Sequence, residues 1–112
     1  MPINEIERRK ALNALRKYCA ERTDPSLRDQ LEIVHRLEGN DAFISERRPD
    51  WQDRSIVRDH DIAKLRFVVS RRVWTLYWRD SNLRWHRFED CEPARDIGDL
   101  LAVVDSEPIF YG

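Results

Sequence analysis

The sequence predicts an α+β fold: a single antiparallel sheet of about five strands, flanked by an N-terminal and a C-terminal helix that pack on one face. Apolar residues recur at helical spacing over residues 4–22 and again over residues 97–104. Between these two segments, apolar and polar residues alternate with a period of two, and short turn sequences interrupt the alternation. A chain of 112 residues is the size of one domain, so we expect residues 1–112 to share one core.

The composition excludes several classes of protein. With 3 Gly and 5 Pro the chain is neither fibrous nor disordered, and 41% hydrophobic residues suffice for a core. The net charge of −1 means that binding to nucleic acid would need a local basic patch. No apolar run reaches the roughly 18 residues of a membrane span, and the N-terminus lacks a secretion signal. Cys19 and Cys91 have no partners at metal-ligand spacing, so we expect a cytoplasmic protein with free thiols, no cofactor and no membrane contact.

The first two elements are a helix and a hairpin. Asn4 and Glu7 are spaced to satisfy free amides at a helix start, and this helix should end near Arg22. A strand over residues 31–37 leads to Gly39-Asn40, a typical two-residue turn. This turn predicts three cross-strand pairs: Leu37 with Ala42, His35 with Ile44, and Ile33 with Glu46.

The second strand should end at Pro49, and residues 50–61 are predicted to form a polar connection that carries Trp51. Two further strands follow, over residues 63–70 and 73–78. A tight turn at Arg71-Arg72 would pair Val69 with Trp74, Phe67 with Leu76, and Leu65 with Trp78. This arrangement predicts a core rich in Trp.

The register of the last strand, over residues 83–88, stays open at this point. A two-residue loop would pair Trp78 with Trp85 and Tyr77 with His86. A three-residue loop would turn every side chain of that strand to the other face. Asp96 should introduce the last helix, and the apolar tail over residues 107–112 should lie along an edge.

The sheet face opposite the Trp core is the first candidate site. Basic residues around an aromatic ring on an open sheet are typical of surfaces that bind single-stranded nucleic acid, although a solvated outer face or a protein-binding face would look similar. Its predicted members are Lys64, Arg66, Tyr77 and Arg79, joined in the two-residue register by Arg84 and His86. The leading interpretation is a non-enzymatic binding module whose partner is nucleic acid or a protein.

A polar site is the alternative, from the class of small enzymes or small-ligand proteins. Glu46 and Arg48 project to the same side of their strand, towards His35, and Trp51 follows them as either a lid or an exposed ring. Glu38 and Asp41 beside this pair loosely suggest a carboxylate metal site. Acidic residues are common at turns, however, so no metal ligand is predicted.

Several segments resemble the small bacterial proteins of the domain of unknown function 3024 family. The motifs are Glu-x-Arg-Pro-x-Trp, Trp-x-x-Tyr-Trp and Trp-His-x-Tyr, with Phe88 here in place of the last Tyr. The segments that carry them are 46–51, 63–64, 73–79, 82–88 and 101–105. The resemblance implies one cytoplasmic α+β domain and no particular activity. It draws attention to Glu46, Arg48, Trp51, Lys64, Tyr77, Trp78, Trp85 and His86.

Overall fold

The computed structural model describes residues 2–111 and contains a five-stranded antiparallel sheet in the order β1-β2-β3-β4-β5. The strands are β1 (Glu32–Glu38), β2 (Asp41–Pro49), β3 (Val57–Val68), β4 (Val73–Arg79) and β5 (Trp85–Arg87). The helices are α1 (Glu5–Arg22), α2 (Ile97–Ser106) and the short α3 (Pro108–Tyr111), with a 3-10 turn at Pro25–Leu27. The α+β class and the five-stranded sheet are therefore confirmed.

Helix α1 begins and ends with side-chain caps. The Asn4 side-chain oxygen accepts a hydrogen bond from the Glu7 amide at 2.8 Å, as the spacing predicted. At the other end the Thr23 hydroxyl donates to the Cys19 carbonyl at 2.8 Å and accepts from the Ile33 amide at 3.0 Å. Thr23 thus joins the end of α1 to the start of β1.

The core lies between the two long helices and one face of the sheet. Helix α1 buries Ala11, Leu15, Tyr18 and Cys19, and helix α2 buries Ile97, Leu100, Leu101 and Val104. Of the four Trp residues, Trp74 is 1% exposed and Trp78 packs against the core while partly exposed. Trp85 and Trp51 lie elsewhere, so tryptophan supplies less of the core than the alternation predicted.

The β1–β2 hairpin has the predicted register. Leu37 pairs with Ala42, His35 with Ile44, and Ile33 with Glu46. Gly39 supports the two-residue turn, because its φ of +58° is a conformation that residues with a Cβ rarely adopt.

Strand β3 begins earlier than the alternation predicted. Residues 57–61, expected to be a polar connection, instead extend the strand and pair with the end of β2, from Ser45 to Pro49. A bulge between Ile44 and Ser45 shifts the ladder there. We call residues 47–60 the β2–β3 arm; Trp51 to His60 are all exposed. A strand that is exposed to solvent on both faces shows no alternation of apolar and polar residues. The alternation in the sequence therefore did not predict this part of β3.

The β3–β4 pairing differs by two residues from the predicted one. Phe67 pairs with Trp74 and Leu65 with Leu76, because the turn spans residues 69–72 rather than Arg71-Arg72 alone. The rings of Phe67 and Trp74 then pack 5.1 Å apart. An even shift leaves every side chain on its predicted face.

The β4–β5 hairpin adopts the three-residue register. Trp78 pairs with His86 and Arg79 with Trp85. Leu83 in the turn has a φ of 64°. Trp85 therefore points away from the helices, and His86 shares the other face with Trp78.

The C-terminal tail packs back on the helices. Phe110 is buried, and the Tyr111 hydroxyl lies 2.6 Å from that of Tyr18. Burial, together with the contact to Tyr111, raises the pKa of Tyr18 well above its usual value. Within residues 2–111, none of the helices has the length and apolar character that crossing a bilayer requires.

Candidate functional site

One row of side chains crosses all five strands on the face that points away from the helices, which we call the open face. The four ladders place these residues next to one another in the order Arg36, Phe43, Lys64, Tyr77 and Arg87. The Arg79 and Trp85 pair lies beside this row, on the same face. The open face therefore combines three aromatic rings with cations of β1, β3, β4 and β5.

The cations lie over the rings. The Lys64 ammonium is 4.7 Å from the ring centroid of Tyr77 and 5.3 Å from that of Trp85. The Arg79 guanidinium carbon is 5.7 Å from the Trp85 centroid. These distances are within the roughly 6 Å over which a ring quadrupole attracts a cation. Phe43 completes the cluster with its ring centroid 6.0 Å from that of Trp85.

Two arginines of the open face are held by carboxylates. Arg36 donates two hydrogen bonds to Asp61, at 2.7 and 3.0 Å, and the Ser45 hydroxyl donates to the same carboxylate at 2.6 Å. Arg66 donates to Asp41 at 2.8 and 3.2 Å. The hydrogen bonds from Arg36 hold the pKa of Asp61 below its ordinary value. The charges of Arg36 and Arg66 are thus balanced by carboxylates of the sheet itself.

Three other cations of the open face make no such contact with a carboxylate of residues 2–111. In the part of the chain that the structure describes, Lys64, Arg79 and Arg87 form no ion pair with a carboxylate. Burial, with the positive charge of Arg66 nearby, lowers the pKa of Lys64. The Asp41 carboxylate opposes this shift from beyond ion-pair distance, so the Lys64 ammonium has no direct ion-pair partner among the described residues and can attract an anion.

Two predicted members of the open face lie elsewhere. The three-residue register turns His86 to the other face, where its ring stacks on Trp78 at 4.8 Å and its Nε2 lies 2.6 Å from the Asp80 carboxylate. Arg84 precedes β5 and is exposed in the turn. The two-residue register, which would have placed Arg84 and His86 on the open face, is therefore not the one adopted. Lys64, Arg66, Tyr77 and Arg79 do lie together on this face.

Sequence reasoning missed four residues of the open face. Trp85 and Arg87 could be assigned to this face only once the register of β5 was known. Arg36 and Phe43 could have been found from the first hairpin, because Phe43 pairs with Lys64 once β2 lies beside β3.

The alternative polar site is not assembled as predicted. Glu46 and Arg48 do form an ion pair at 3.2 Å, in which the Arg48 side chain is 53% exposed and the Glu46 side chain 17% exposed. His35 lies in the next row, where burial and the positive charge of Arg16 lower its pKa. Trp51, at the end of the β2–β3 arm, is 85% exposed. Glu46, which pairs with the buried Ile33, is thus partly enclosed, whereas Arg48 and Trp51 are open to solvent.

The residues that the structure describes contain no group of three or more His, Cys, Asp or Glu arranged to hold a metal ion. Comparison with curated proteins and with solved structures gives no match. A family model described as a domain of unknown function (DUF3024) matches residues 3–112, nearly the whole chain, and the protein therefore belongs to this family.

Proposed function

We propose that the protein is a non-enzymatic binding module that holds single-stranded nucleic acid on its open face. The observation that carries this proposal is the cluster of Tyr77 and Trp85 with Lys64 and Arg79, in which the cations lie within 6 Å of the rings and make no ion pair with a carboxylate of the described residues. Rings can stack with bases, while ammonium and guanidinium groups attract phosphates.

A single strand suits this face better than a duplex does. The rings lie on one face of the five-stranded sheet, where unpaired bases can reach and stack on them. The bases of a duplex are already stacked on one another and present only their edges. A protein partner is the competing ligand class, and the experiment below separates the two.

We place the protein in the cytoplasm. Both cysteines are free thiols, as a reducing compartment would keep them. Burial raises the pKa of the Cys19 thiol to about 11, so it resists oxidation and metal binding at neutral pH.

The test measures the binding of labelled single-stranded oligonucleotides of about 12 nucleotides, a length that spans typical binding sites. Affinity should fall steeply as salt rises, because bound counter-ions are released on binding. The double variant Lys64→Gln with Arg79→Gln should reduce the slope of log K against log salt by about 1.4, or about 0.7 for each lost phosphate contact.

The matched control removes the same charge from α1 through Arg9→Gln with Lys17→Gln, both exposed and remote from the open face. This control should keep nearly full affinity. Absence of binding at low salt, or an equal loss in both double variants, would contradict the proposal. Binding to duplex DNA as strong as to single strands would also contradict it.

A further inference from the structure

A cleft of about 520 Å³ lies on the helix side of the molecule, away from the open face. Three separate parts of the chain line it: helix α1, the β3–β4 turn and the segment that leads into α2. Its polar lining residues are Glu7, Lys10, Arg72, Arg95 and Asp96. Trp74 and Ile97 form part of its floor.

Each of the three parts contributes one cation to the cleft: Lys10, Arg72 and Arg95. None of these three makes an ion pair with a carboxylate of residues 2–111. These three exposed cations outnumber the two carboxylates of the lining, Glu7 and Asp96, so the cleft is locally positive in a chain whose net charge is −1.

Arg72 occupies an unfavourable backbone conformation. Its φ is +54°, in the left-handed region where Gly carries no steric cost and a residue with a Cβ does. The β3–β4 turn would therefore form more easily with Gly at position 72. An arginine there gives the turn no conformational advantage, and Arg72 is one of the residues that line the cleft.

We propose that this cleft binds a small molecule that carries a phosphate group. Two guanidinium groups and one ammonium group can donate hydrogen bonds to several oxygens at once. A phosphate offers more such oxygens than a single carboxylate does. The volume lies within the range of about 300–1,000 Å³ that small-molecule sites occupy, so there is room for an organic part beside the phosphate. Glu7 and Asp96 would accept hydrogen bonds from hydroxyl groups of that part.

The proposal rests on the side-chain cations and not on the start of α2. In the first turn of that helix, the Gly98 amide already donates to the Asp96 side chain at 2.8 Å and the Asp99 amide donates to the Asp96 carbonyl at 3.1 Å. It is also independent of the open face, because none of the cleft residues belongs to the row of cations and rings described above.

The test titrates pyrophosphate and inorganic phosphate into the whole protein, with calorimetry as the readout and sulfate as the comparison anion. Pyrophosphate should bind more tightly than sulfate. The variant Arg72→Gly should lower the pyrophosphate affinity by about tenfold, the effect of losing one hydrogen bond to a charged group. Its thermal unfolding midpoint should stay equal or rise, because the strained backbone is relieved. Arg95→Gln should weaken binding by a similar factor.

Leu83→Gly is the matched control. Leu83 has the same kind of backbone, with φ of 64°, is 67% exposed and lies in the β4–β5 turn, which does not line the cleft. This variant should keep the pyrophosphate affinity. Equal binding of sulfate and pyrophosphate, or an unchanged affinity in both Arg72→Gly and Arg95→Gln, would overturn the proposal.

The two binding proposals can fail separately. Lys64→Gln with Arg79→Gln should keep the pyrophosphate affinity, and Arg72→Gly should keep the oligonucleotide affinity. If Arg72→Gly instead weakened both ligands equally, the cleft would be part of the nucleic-acid surface and the separate phosphate site would be refuted.

Discussion

Trp85 and Arg79 lie directly opposite each other in the β4–β5 ladder, with the guanidinium carbon 5.7 Å from the indole centroid. The turn between them makes this pairing possible. The Asp80 carboxylate accepts hydrogen bonds from the amides of Asn82 and Arg84, and the Asp80 amide donates to the Arg84 carbonyl at 2.9 Å. A turn shorter by one residue would place Trp85 on the opposite face of the sheet.

We expect Trp85→Ala to weaken single-stranded oligonucleotide binding by about 5- to 150-fold, since stacking of one base on an aromatic ring is worth about 1–3 kcal/mol. Stability should change much less than for a core Trp, because the ring lies partly exposed on the open face. Trp51→Ala removes the exposed ring of the β2–β3 arm and serves as the control. Equal losses of affinity in the two variants would show that binding is not centred on Trp85.

Trp74→Ala should lower the free energy of unfolding by about 3–5 kcal/mol, because its ring is 1% exposed and packs on Phe67. This loss is a large share of the roughly 5–15 kcal/mol that stabilises a typical domain. Chemical denaturation measures the difference. Trp78→Ala should cost less, since Trp78 is only partly buried; a larger cost for Trp78 would mean that the β4 ring contacts are assigned wrongly.

Acid should destabilise the protein partly through Asp61. Hydrogen bonds from Arg36 lower the pKa of this carboxyl in the folded state, so its contribution to stability is present above the unfolded-state pKa of about 3.9. That contribution is lost as the pH falls through the lower folded-state pKa. Unfolding free energies measured from neutral to acid pH should therefore fall less steeply for Asp61→Asn than for the wild type. Parallel curves would contradict this role.

Glu46→Gln should change the unfolding free energy by no more than about 1 kcal/mol, because Arg48 is 53% exposed and can be solvated once the charge of the 17% exposed Glu46 is removed. Added Mg²⁺ or Mn²⁺ should leave the thermal unfolding midpoint of both proteins unchanged. A metal-induced rise in the wild type that disappears in Glu46→Gln would favour the alternative polar site over the binding module.

The sequence predicted the β3–β4 register wrongly and left the β4–β5 register open, and these two cases differ in their consequences for the open face. The β3–β4 error of two residues kept Leu65, Phe67 and Trp74 on the core face, so the predicted core survived it. The β4–β5 choice differed by one residue and decided whether His86 or Trp85 lies on the open face. For this reason Lys64, Arg66, Tyr77 and Arg79 could be predicted together, while the ring that completes their site could not.

The sequence by itself determined the elements and their faces wherever one side is buried: the Asn4 cap, the stripe of α1, the first hairpin and the alternation of β3 and β4. Apolar periodicity records burial directly, so these features are local to each segment. Only the tertiary structure decided the turn lengths, the extension of β3 from Val57 and the meeting of Lys10, Arg72 and Arg95 at one cleft. These three features depend on how distant segments pack against one another. The polar residues involved are exposed to solvent in either arrangement, so their order in the sequence does not indicate which arrangement forms.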